Sequence, residues 1–274
     1  MKSLSIDALQ VKVAGETREM ARVAAGDAAE ALGSSIAARG EANIMLATGN
    51  SQLVFLEELV MIGDVDWSAV RAFHMDEYVG LHPTHSASFQ RYMRERVASR
   101  VPFKEFHYLT GSTGDAEAEA MRYESRLRAF PLDLCCAGIG ENGHLAFNDP
   151  PVADFDDPRD VKVVALEAAS RNQQVGEGHF ATLSEVPTHA ITVTVPALLR
   201  AARLLVIVPE ARKAAAVRAA LYGPISTACP ASVSASTGFP WVTRWAHPSS
   251  RAIPIRSCPL RPYPPARGTT LTIR

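Results

Sequence analysis

Short apolar segments alternate with segments of helical spacing along most of the chain, and this alternation strongly limits the folds that it can adopt. The predicted strands cover residues 43–47, 70–75, 132–137, 190–195 and 204–209. The predicted helices cover residues 16–39, 53–63, 86–97 and 210–223. Repeated strand–helix units are typical of the α/β class, so we predict a largely parallel sheet with helices on both faces.

The composition excludes several classes of partner. The 274 residues carry a net charge of -1, and no basic run occurs in the first 233 residues, so no nucleic-acid partner is predicted. The apolar runs are too short to span a bilayer and the N-terminus lacks a secretory signal, so no membrane association is expected. The cysteines form neither a disulfide framework nor a metal-ligand spacing; Cys135 and Cys136 are expected in a buried strand, and a cytoplasmic location fits this usage.

Ligands of parallel sheets bind beyond the carboxyl ends of the strands, so the residues that follow each strand are candidate site residues. The loop after the first predicted strand consists of Thr48, Gly49, Asn50 and Ser51. A glycine and hydroxyl residues that lead into a helix offer backbone N–H groups and side-chain donors to an anion. An ordinary strand-to-helix turn with a serine cap is the alternative.

Two carboxylates, Asp76 and Glu77, follow the second predicted strand and lie between His74 and Tyr78. A carboxylate held in a cleft can have its pKa raised by partial burial and act as a general base. The alternative is a pair of acidic residues on the surface.

The third predicted strand runs into a glycine-rich loop. Its Gly138, Gly140 and Gly143 match the outline of a dinucleotide-binding fingerprint. That fingerprint needs a helix N-terminus for the pyrophosphate, whereas the neighbouring Pro150 and Pro151 would stop a helix. We therefore do not expect a dinucleotide site here.

The same loop carries polar side chains suited to proton transfer, namely Glu141, Asn142, His144 and Asp149. Histidine exchanges protons near neutral pH, and a neighbouring Asp or Asn can hold its tautomer. A purely structural histidine is the alternative.

Lys213 falls in the first turn of the helix after the last predicted strand. A cation there opposes the helix dipole, so this lysine is either solvated or meets a bound anion. The remaining histidines show no metal-ligand spacing, and no metal site is predicted.

Two longer segments carry a resemblance to a known family. The segments HMDEYVGLHPTHSASFQRYM (residues 74–93) and GIGENGHLAFNDP (residues 138–150) resemble the glucosamine-6-phosphate deaminase/isomerase family. The resemblance runs from about residue 15 to residue 233. At both segments the chain is less similar to the 6-phosphogluconolactonases, a sister branch with the same fold.

The resemblance implies a single-domain, Rossmann-like α/β fold and the conversion of glucosamine 6-phosphate to fructose 6-phosphate and ammonia, without an organic cofactor or a metal. It implies that Asp76 is the base that moves a proton between C2 and C1, and that His144 opens the pyranose ring. Asn142 and Asp149 would flank His144. Residues 48–51 with Lys213 would bind the phosphate of an amino-sugar phosphate substrate.

Four departures from the family pattern leave a related amino-sugar phosphate or another hexose phosphate open as the substrate. Many members have Asp at the position of Asn142 and Glu at the position of Asp149. The phosphate loop, usually P-T-G-G-T-P, is A-T-G-N-S-Q here. An arginine that helps to bind phosphate in other members has no match, since Arg171 is nearby but the aligned residues are Gly176 and Glu177.

Two other functions stay open at this point. A sugar-phosphate lactonase would use His144 to activate water and leave Asp76 secondary. A sugar-phosphate-binding sensor would keep the pocket with little turnover, although binding alone does not require a base such as Asp76. The sequence does not define the oligomeric state, and a homo-oligomer is compatible with it.

Composition changes abruptly after Val233. Residues 234–274 contain six Arg, seven Pro, no Lys and no acidic residue. We therefore predict a deaminase-like domain at residues 1–233 and an atypical, mostly disordered Pro/Arg-rich tail at residues 234–274. Our hypothesis is a reading-frame change near codon 234, which would leave the sheet without its final strand and Trp241 and Trp245 exposed or loosely docked. A native Pro/Arg-rich binding tail is the alternative.

Overall fold

The computed structural model of the protein describes residues 1–6, 9–236 and 241–243. The strands are β1 (Lys2–Ile6), β2 (Leu9–Val13), β3 (Ala42–Leu46), β4 (Val70–His74), β5 (Asp76–Tyr78), β6 (Glu105–His107), β7 (Leu134–Ala137), β8 (Val161–Ala165), β9 (His189–Val193), β10 (Arg203–Val208) and β11 (Trp241–Thr243). The helices are α1 (Thr17–Arg39), α2 (Leu53–Val60), α3 (Phe89–Met93), α4 (Ala116–Ala129), α5 (Ala168–Gly176), α6 (Val195–Leu199) and α7 (Ala214–Tyr222). Short 3₁₀ turns precede α2 (Asn50–Gln52) and α7 (Ala211–Lys213).

The large sheet has the strand order β1-β2-β11-β10-β7-β3-β4-β6. Only β1 and β2 pair antiparallel; all the other neighbours in this sheet pair parallel. The parallel strands include β3, in which Ile44 pairs with Ala72 of β4 and Leu134 of β7. The predicted single-domain, Rossmann-like α/β fold with a mostly parallel sheet is therefore confirmed.

The two faces of this sheet pack against different helices. Cys135 lies in the core that includes α4, α6 and α7, whereas Cys136 lies in the core that includes α1 and α2. Successive residues of a strand point to opposite faces, which is why adjacent cysteines belong to two cores. Both side chains are fully buried, as predicted for this strand.

A second, antiparallel sheet has the order β5-β9-β8. The strand predicted at residues 190–195 is β9, and it belongs to this small sheet rather than to the parallel one. Apolar alternation does not distinguish the two kinds of pairing, so the partner of β9 could not be read locally. The small sheet packs with an aromatic core that contains Tyr78, Phe89, Phe147 and Phe180.

The helix predicted at residues 86–97 is shorter and less regular than expected. It begins at Phe89, because Ser88 is the N-cap and its hydroxyl accepts a hydrogen bond from the Arg91 N–H. A π-helical turn (Arg94–Ala98) then continues α3.

The prediction that the sheet would lack a strand after Val233 is wrong. β11 lies between β2 and β10 and pairs parallel with both, so Val242 pairs with Lys12 on one side and with Ile207 on the other. The predictions for the rest of the tail, and for the side chains of Trp241 and Trp245, lie outside the described part of the chain. Within the described residues, no helix is both long and apolar enough to cross a membrane.

Candidate active site

The loop after β3 is shaped by a glycine and anchored by a tyrosine. Gly49 has φ of 94°, in the region that favours glycine. Its carbonyl accepts a hydrogen bond of 2.9 Å from the Tyr92 hydroxyl. Ser51 is buried in the 3₁₀ turn that follows, and its side chain caps neither that turn nor α2. The alternative interpretation, an ordinary strand-to-helix turn with a serine cap, is therefore wrong.

Ser51 instead contacts Lys213, which lies 162 residues later in the sequence. The Lys213 ammonium donates to Ser51 Oγ at 2.5 Å, and Ser51 Oγ donates to Glu210 Oε2 at 2.5 Å. Lys213 is only 6% exposed, so it is not a solvated lysine. The loops after β3 and β10 thus place a buried cation beside the predicted anion loop.

Asp76 is the first residue of β5, and one residue, Met75, separates it from the end of β4. It is buried, and its Oδ1 atom has no hydrogen-bond partner among the described residues. Burial, with a smaller contribution from the charge of Glu77, raises the pKa of Asp76 to about 8. A carboxyl with this pKa is suited to accept and return a proton near neutral pH.

Glu77 accepts several hydrogen bonds that the sequence did not predict. Its carboxylate accepts hydrogen bonds from the Ser88 hydroxyl and the Gln90 N–H, each at 2.8 Å, and from the N–H groups of Tyr78 and Phe89. Glu77 therefore holds the N-terminus of α3 against β5. Both carboxylates are buried, which excludes the surface acidic pair.

His144 is held by two side chains of its own loop. Its Nδ1 lies 2.7 Å from Asn142 Oδ1 and 3.0 Å from Asp149 Oδ1. Asn142 Nδ2 donates to Asp149 Oδ1 at 2.8 Å, and Ser170 Oγ donates to the same oxygen at 2.6 Å. Burial raises the pKa of Asp149, but the hydrogen bonds from His144, Asn142 and Ser170 outweigh it, so the net pKa lies below its usual value.

These contacts define the histidine tautomer. The His144 backbone N–H donates to Asn142 Oδ1 at 3.1 Å, so this end of the amide is an acceptor. Nδ1 therefore faces two acceptors, Asn142 Oδ1 and the Asp149 carboxylate, and must carry the proton. The other ring nitrogen, Nε2, is then the acceptor of the neutral ring.

Gly140 is required by the position of the His144 ring. A Cβ atom on Gly140 would lie 2.1–2.4 Å from three atoms of that ring. The glycine thus serves close packing of a side chain rather than a pyrophosphate. Residues 138–160, all described, form turns without a helix, which agrees with the exclusion of a dinucleotide fingerprint.

One cleft that is open to solvent brings most of the predicted residues together. The predicted site residues that line it are Thr48, Gly49, Asn50, Ser51, Asp76, His144 and Lys213. Asn142 and Asp149 do not line the cleft and instead contact the Nδ1 side of the His144 ring.

Several further residues of the cleft could not be predicted from the sequence. Gln52, Gln173, Gln174 and Glu177 line the cleft. Gln52 is 1% exposed, and its Oε1 atom has no partner while its Nε2 donates to the Ile207 carbonyl. Their only sequence signal was position after a strand or at the end of a helix, which does not show where a side chain points.

Arg171 does not replace the missing arginine of the family. Its guanidinium donates to the carbonyls of Leu183 and Val186. Glu177, from the aligned position, lines the cleft instead and pairs with Arg212 at 2.8 Å.

The fold and the cleft define an α/β enzyme class with acid–base groups at the carboxyl ends of a parallel sheet. The family model for glucosamine-6-phosphate isomerases/6-phosphogluconolactonase matches residues 15–241, and the chain belongs to this family. The family is enzymatic. The match extends past Val233, where we expected the resemblance to end.

Several proteins of this family are similar to the chain. A glucosamine-6-phosphate deaminase from Exiguobacterium sibiricum is 38% identical over 190 residues, which are 69% of this chain and 73% of the relative. A glucosamine-6-phosphate deaminase from Streptococcus equi subsp. zooepidemicus is 35% identical over 198 residues, 72% of this chain and 81% of the relative.

Solved structures show the same fold. A monomeric glucosamine-6-phosphate deaminase has a TM-score of 0.78 and 27% identity, and the match covers 85% of this chain and 95% of that one. A 6-phosphogluconolactonase from Shewanella baltica has a TM-score of 0.67 at 22% identity, with 85% and 95% coverage, and shows the fold alone.

Proposed function

We propose that this protein is an amino-sugar phosphate deaminase/isomerase that converts glucosamine 6-phosphate and water to fructose 6-phosphate and ammonia. One cleft holds a buried carboxyl with an unpartnered oxygen (Asp76), an oriented imidazole (His144) and an anion cradle (Ser51 and Lys213). This juxtaposition carries the proposal, because the reaction needs these three groups around one sugar phosphate.

Ring opening is the step proposed for His144. Its Nε2 atom takes the proton from the O1 hydroxyl, the C1–O5 bond breaks, and the imidazolium returns the proton to O5. Asp149, ionised at neutral pH because its pKa is lowered, stabilises the imidazolium through Nδ1. Asn142 orients the ring from the same side. Many family members have carboxylates at both positions, whereas here residue 142 is an amide and Asp149 is the one carboxylate of the pair.

Isomerisation is the step proposed for Asp76. Its carboxylate removes the proton from C2 of the open-chain aldose, which gives an enolamine, and then returns a proton to C1, which gives the imine of the ketose. Water adds to C2, and the C2–N bond breaks to release ammonia. In the free protein a carboxyl with a pKa of about 8 is largely protonated at neutral pH, and the substrate's C2 ammonium would favour its ionised form.

The phosphate would be bound by Lys213 and the loop after β3. Lysine and backbone N–H groups are suitable donors for a dianion. Replacement of Lys213 with Ala should raise the KM for phosphorylated sugars and leave the affinity for unphosphorylated sugars unchanged. An unchanged KM would remove Lys213 from the phosphate site.

The test is a panel of phosphorylated amino sugars and sugar-phosphate lactones, assayed for ammonia, ketose and acid. We expect ammonia and ketose in equal amounts from glucosamine 6-phosphate. Acid from a lactone without ammonia from the amino sugar would instead make the protein a lactonase, and binding without turnover would make it a sensor.

The Asp76→Asn variant tests whether Asp76 is the base for this activity. It should lose ammonia release and exchange of the C2 proton with solvent, and keep its affinity for substrate. C2 exchange near the parent rate would show that Asp76 is not the base. The cytoplasmic location and the compatibility with a homo-oligomer stay predictions.

A further inference from the structure

The anion cradle of the cleft already contains a carboxylate of the protein. Glu210 Oε2 accepts the hydrogen bond of Ser51 Oγ at 2.5 Å and lies 3.3 Å from the Lys213 ammonium. Ser51 and Lys213 are two of the residues assigned to the phosphate, and both are at least nine-tenths buried. Glu210 therefore uses the donors that a phosphoryl group would need.

The charges around the cradle do not favour a second anion. Lys213 and Arg212 face three carboxylates, those of Glu141, Glu177 and Glu210. Glu177 lines the cleft, and its pKa is lowered to about 2: burial raises it, and the hydrogen bonds of His179 and Gln173 and the charge of Arg212 outweigh burial. Among the described residues, the ion pairs of Lys213 and Arg212 thus already join two cations to three carboxylates before a dianion enters.

Glu210 also has a second partner that it can keep when it leaves Ser51. Its other oxygen, Oε1, lies 3.1 Å from the Arg212 guanidinium, which is partly exposed. The Glu210 side chain is 25% exposed. A small rotation would move Oε2 away from Ser51 and leave the ion pair with Arg212 intact.

We propose that Glu210 is a resident anion of the phosphate subsite, which holds Ser51 and Lys213 until the phosphoryl group of the substrate replaces it. This inference rests on the proposed function in that it takes the cradle to be a phosphate site. Its consequence is selectivity: a small anion must displace Glu210 with its own contacts alone, whereas a sugar phosphate adds contacts along the cleft. Glu210 thereby disfavours occupation of the site by inorganic phosphate.

The experiment measures the Kd of inorganic phosphate by calorimetry for the full-length parent and two variants. Glu210→Gln removes the charge and keeps the side-chain length. Glu141→Gln is the matched control, because Glu141 contacts the same Arg212 at 3.1 Å but neither Ser51 nor Lys213. We expect Glu210→Gln to bind phosphate on the order of tenfold more tightly, since unit charges a few ångströms apart interact strongly at a partly buried site. Glu141→Gln should differ from the parent by less than about twofold, because exposed charges are screened.

Phosphate affinity that is unchanged or weaker in Glu210→Gln would overturn the inference and make Glu210 a residue that positions Lys213. Equal tightening in both variants would also overturn it, because the effect would then come from net charge. Glu210→Asp, which withdraws the carboxylate from Ser51 and retains the charge, should show intermediate tightening and provides the test if Glu210→Gln does not fold. Phosphate binding requires no turnover, so a failure to release ammonia would reject the proposed function without deciding this result.

Discussion

Two carboxyl groups of the site have opposite environments, and this difference assigns their roles. Asp76 is buried without a partner for Oδ1, and its pKa is raised to about 8. Asp149 is buried among three donors, and its pKa is lowered. Pairs of titratable groups whose pKa values are moved apart are typical of acid–base sites. Asp76 can gain and lose a proton, whereas Asp149 stays ionised and supports His144.

The raised pKa of Asp76 predicts a stability effect. The folded state retains a proton that the unfolded state, with a pKa near 3.9, has released above pH 4. The contribution of the protonated carboxyl is complete below about pH 4 and is lost as the pH rises through 8. Asparagine cannot ionise, so Asp76→Asn should gain stability relative to the parent between pH 5 and 8, by at most about 1.4 kcal/mol per pH unit.

Urea unfolding of both proteins from pH 5 to 8.5 measures this difference. Asp64→Asn, the same change at an exposed carboxylate, is the control for the substitution itself. A difference in the free energy of unfolding that stays constant across this range would show that burial does not raise the pKa of Asp76.

The histidine prediction separates ring opening from isomerisation. His144→Gln should reduce turnover of glucosamine 6-phosphate by roughly 10²–10⁴-fold, because it removes the acid–base group. Turnover of a 5-deoxy analogue, which cannot form the pyranose ring, should fall far less. His82→Gln changes an exposed histidine outside the cleft and serves as the control. Equal losses on the two substrates would remove His144 from ring opening.

At the scale of elements, the site is made by loops that follow parallel strands. The loops after β3, β7 and β10 contribute the anion loop, His144 and Lys213, and Asp76 follows β4. The loop after β7 contains no helix, so its shape depends on the turn at Gly143 and on the packing of His144 over Gly140. This loop should therefore be sensitive to an added methyl group.

Gly140→Ala tests that sensitivity. Its Cβ would overlap the His144 ring and displace it, and a displacement of about 1 Å at a catalytic group can reduce turnover on the order of 10²-fold. Gly176→Ala, the same change at the end of α5, meets no atom within 4 Å and should retain activity. Parent-like turnover of Gly140→Ala would mean that the ring can move without loss of function.

For the whole molecule, β11 connects two parts of the large sheet. It is the only described strand between β2 and β10, so the β1–β2 pair reaches the rest of the sheet through it. Without β11, β10 and β2 would both have unpaired edges. The reading-frame hypothesis stays a prediction that sequencing of the gene tests, and β11 lies beyond the codon at which we placed the change.

A pair of shortened chains tests the contribution of β11. A chain that ends after Ser236 should melt about 5–10 °C below one that ends after Thr243, since the loss of a paired strand costs several kcal/mol and each kcal/mol shifts the melting temperature by about 2–4 °C at this size. The longer of the two chains is the control, because it differs only by the segment that contains β11. Equal melting temperatures would mean that β11 contributes little to stability.

The amino-acid sequence by itself determined the main strands and the loops that follow them. The apolar segments at β3, β4, β7 and β10 are local patterns, and their order predicts a parallel sheet whose carboxyl ends carry the site. Asp76 and His144 could be singled out for the same reason, because each belongs to a motif that follows such a segment.

Tertiary structure alone decided which side chains meet. Glu210 contacts Ser51 although 159 residues separate them, and no local pattern in the sequence predicts that contact. The same holds for the donors around Glu77 and for Ser170 on Asp149. β9 joined the small sheet and β11 the large one because strand partners are selected by packing across the whole fold, whereas periodicity in the sequence reports only that a strand has a buried face.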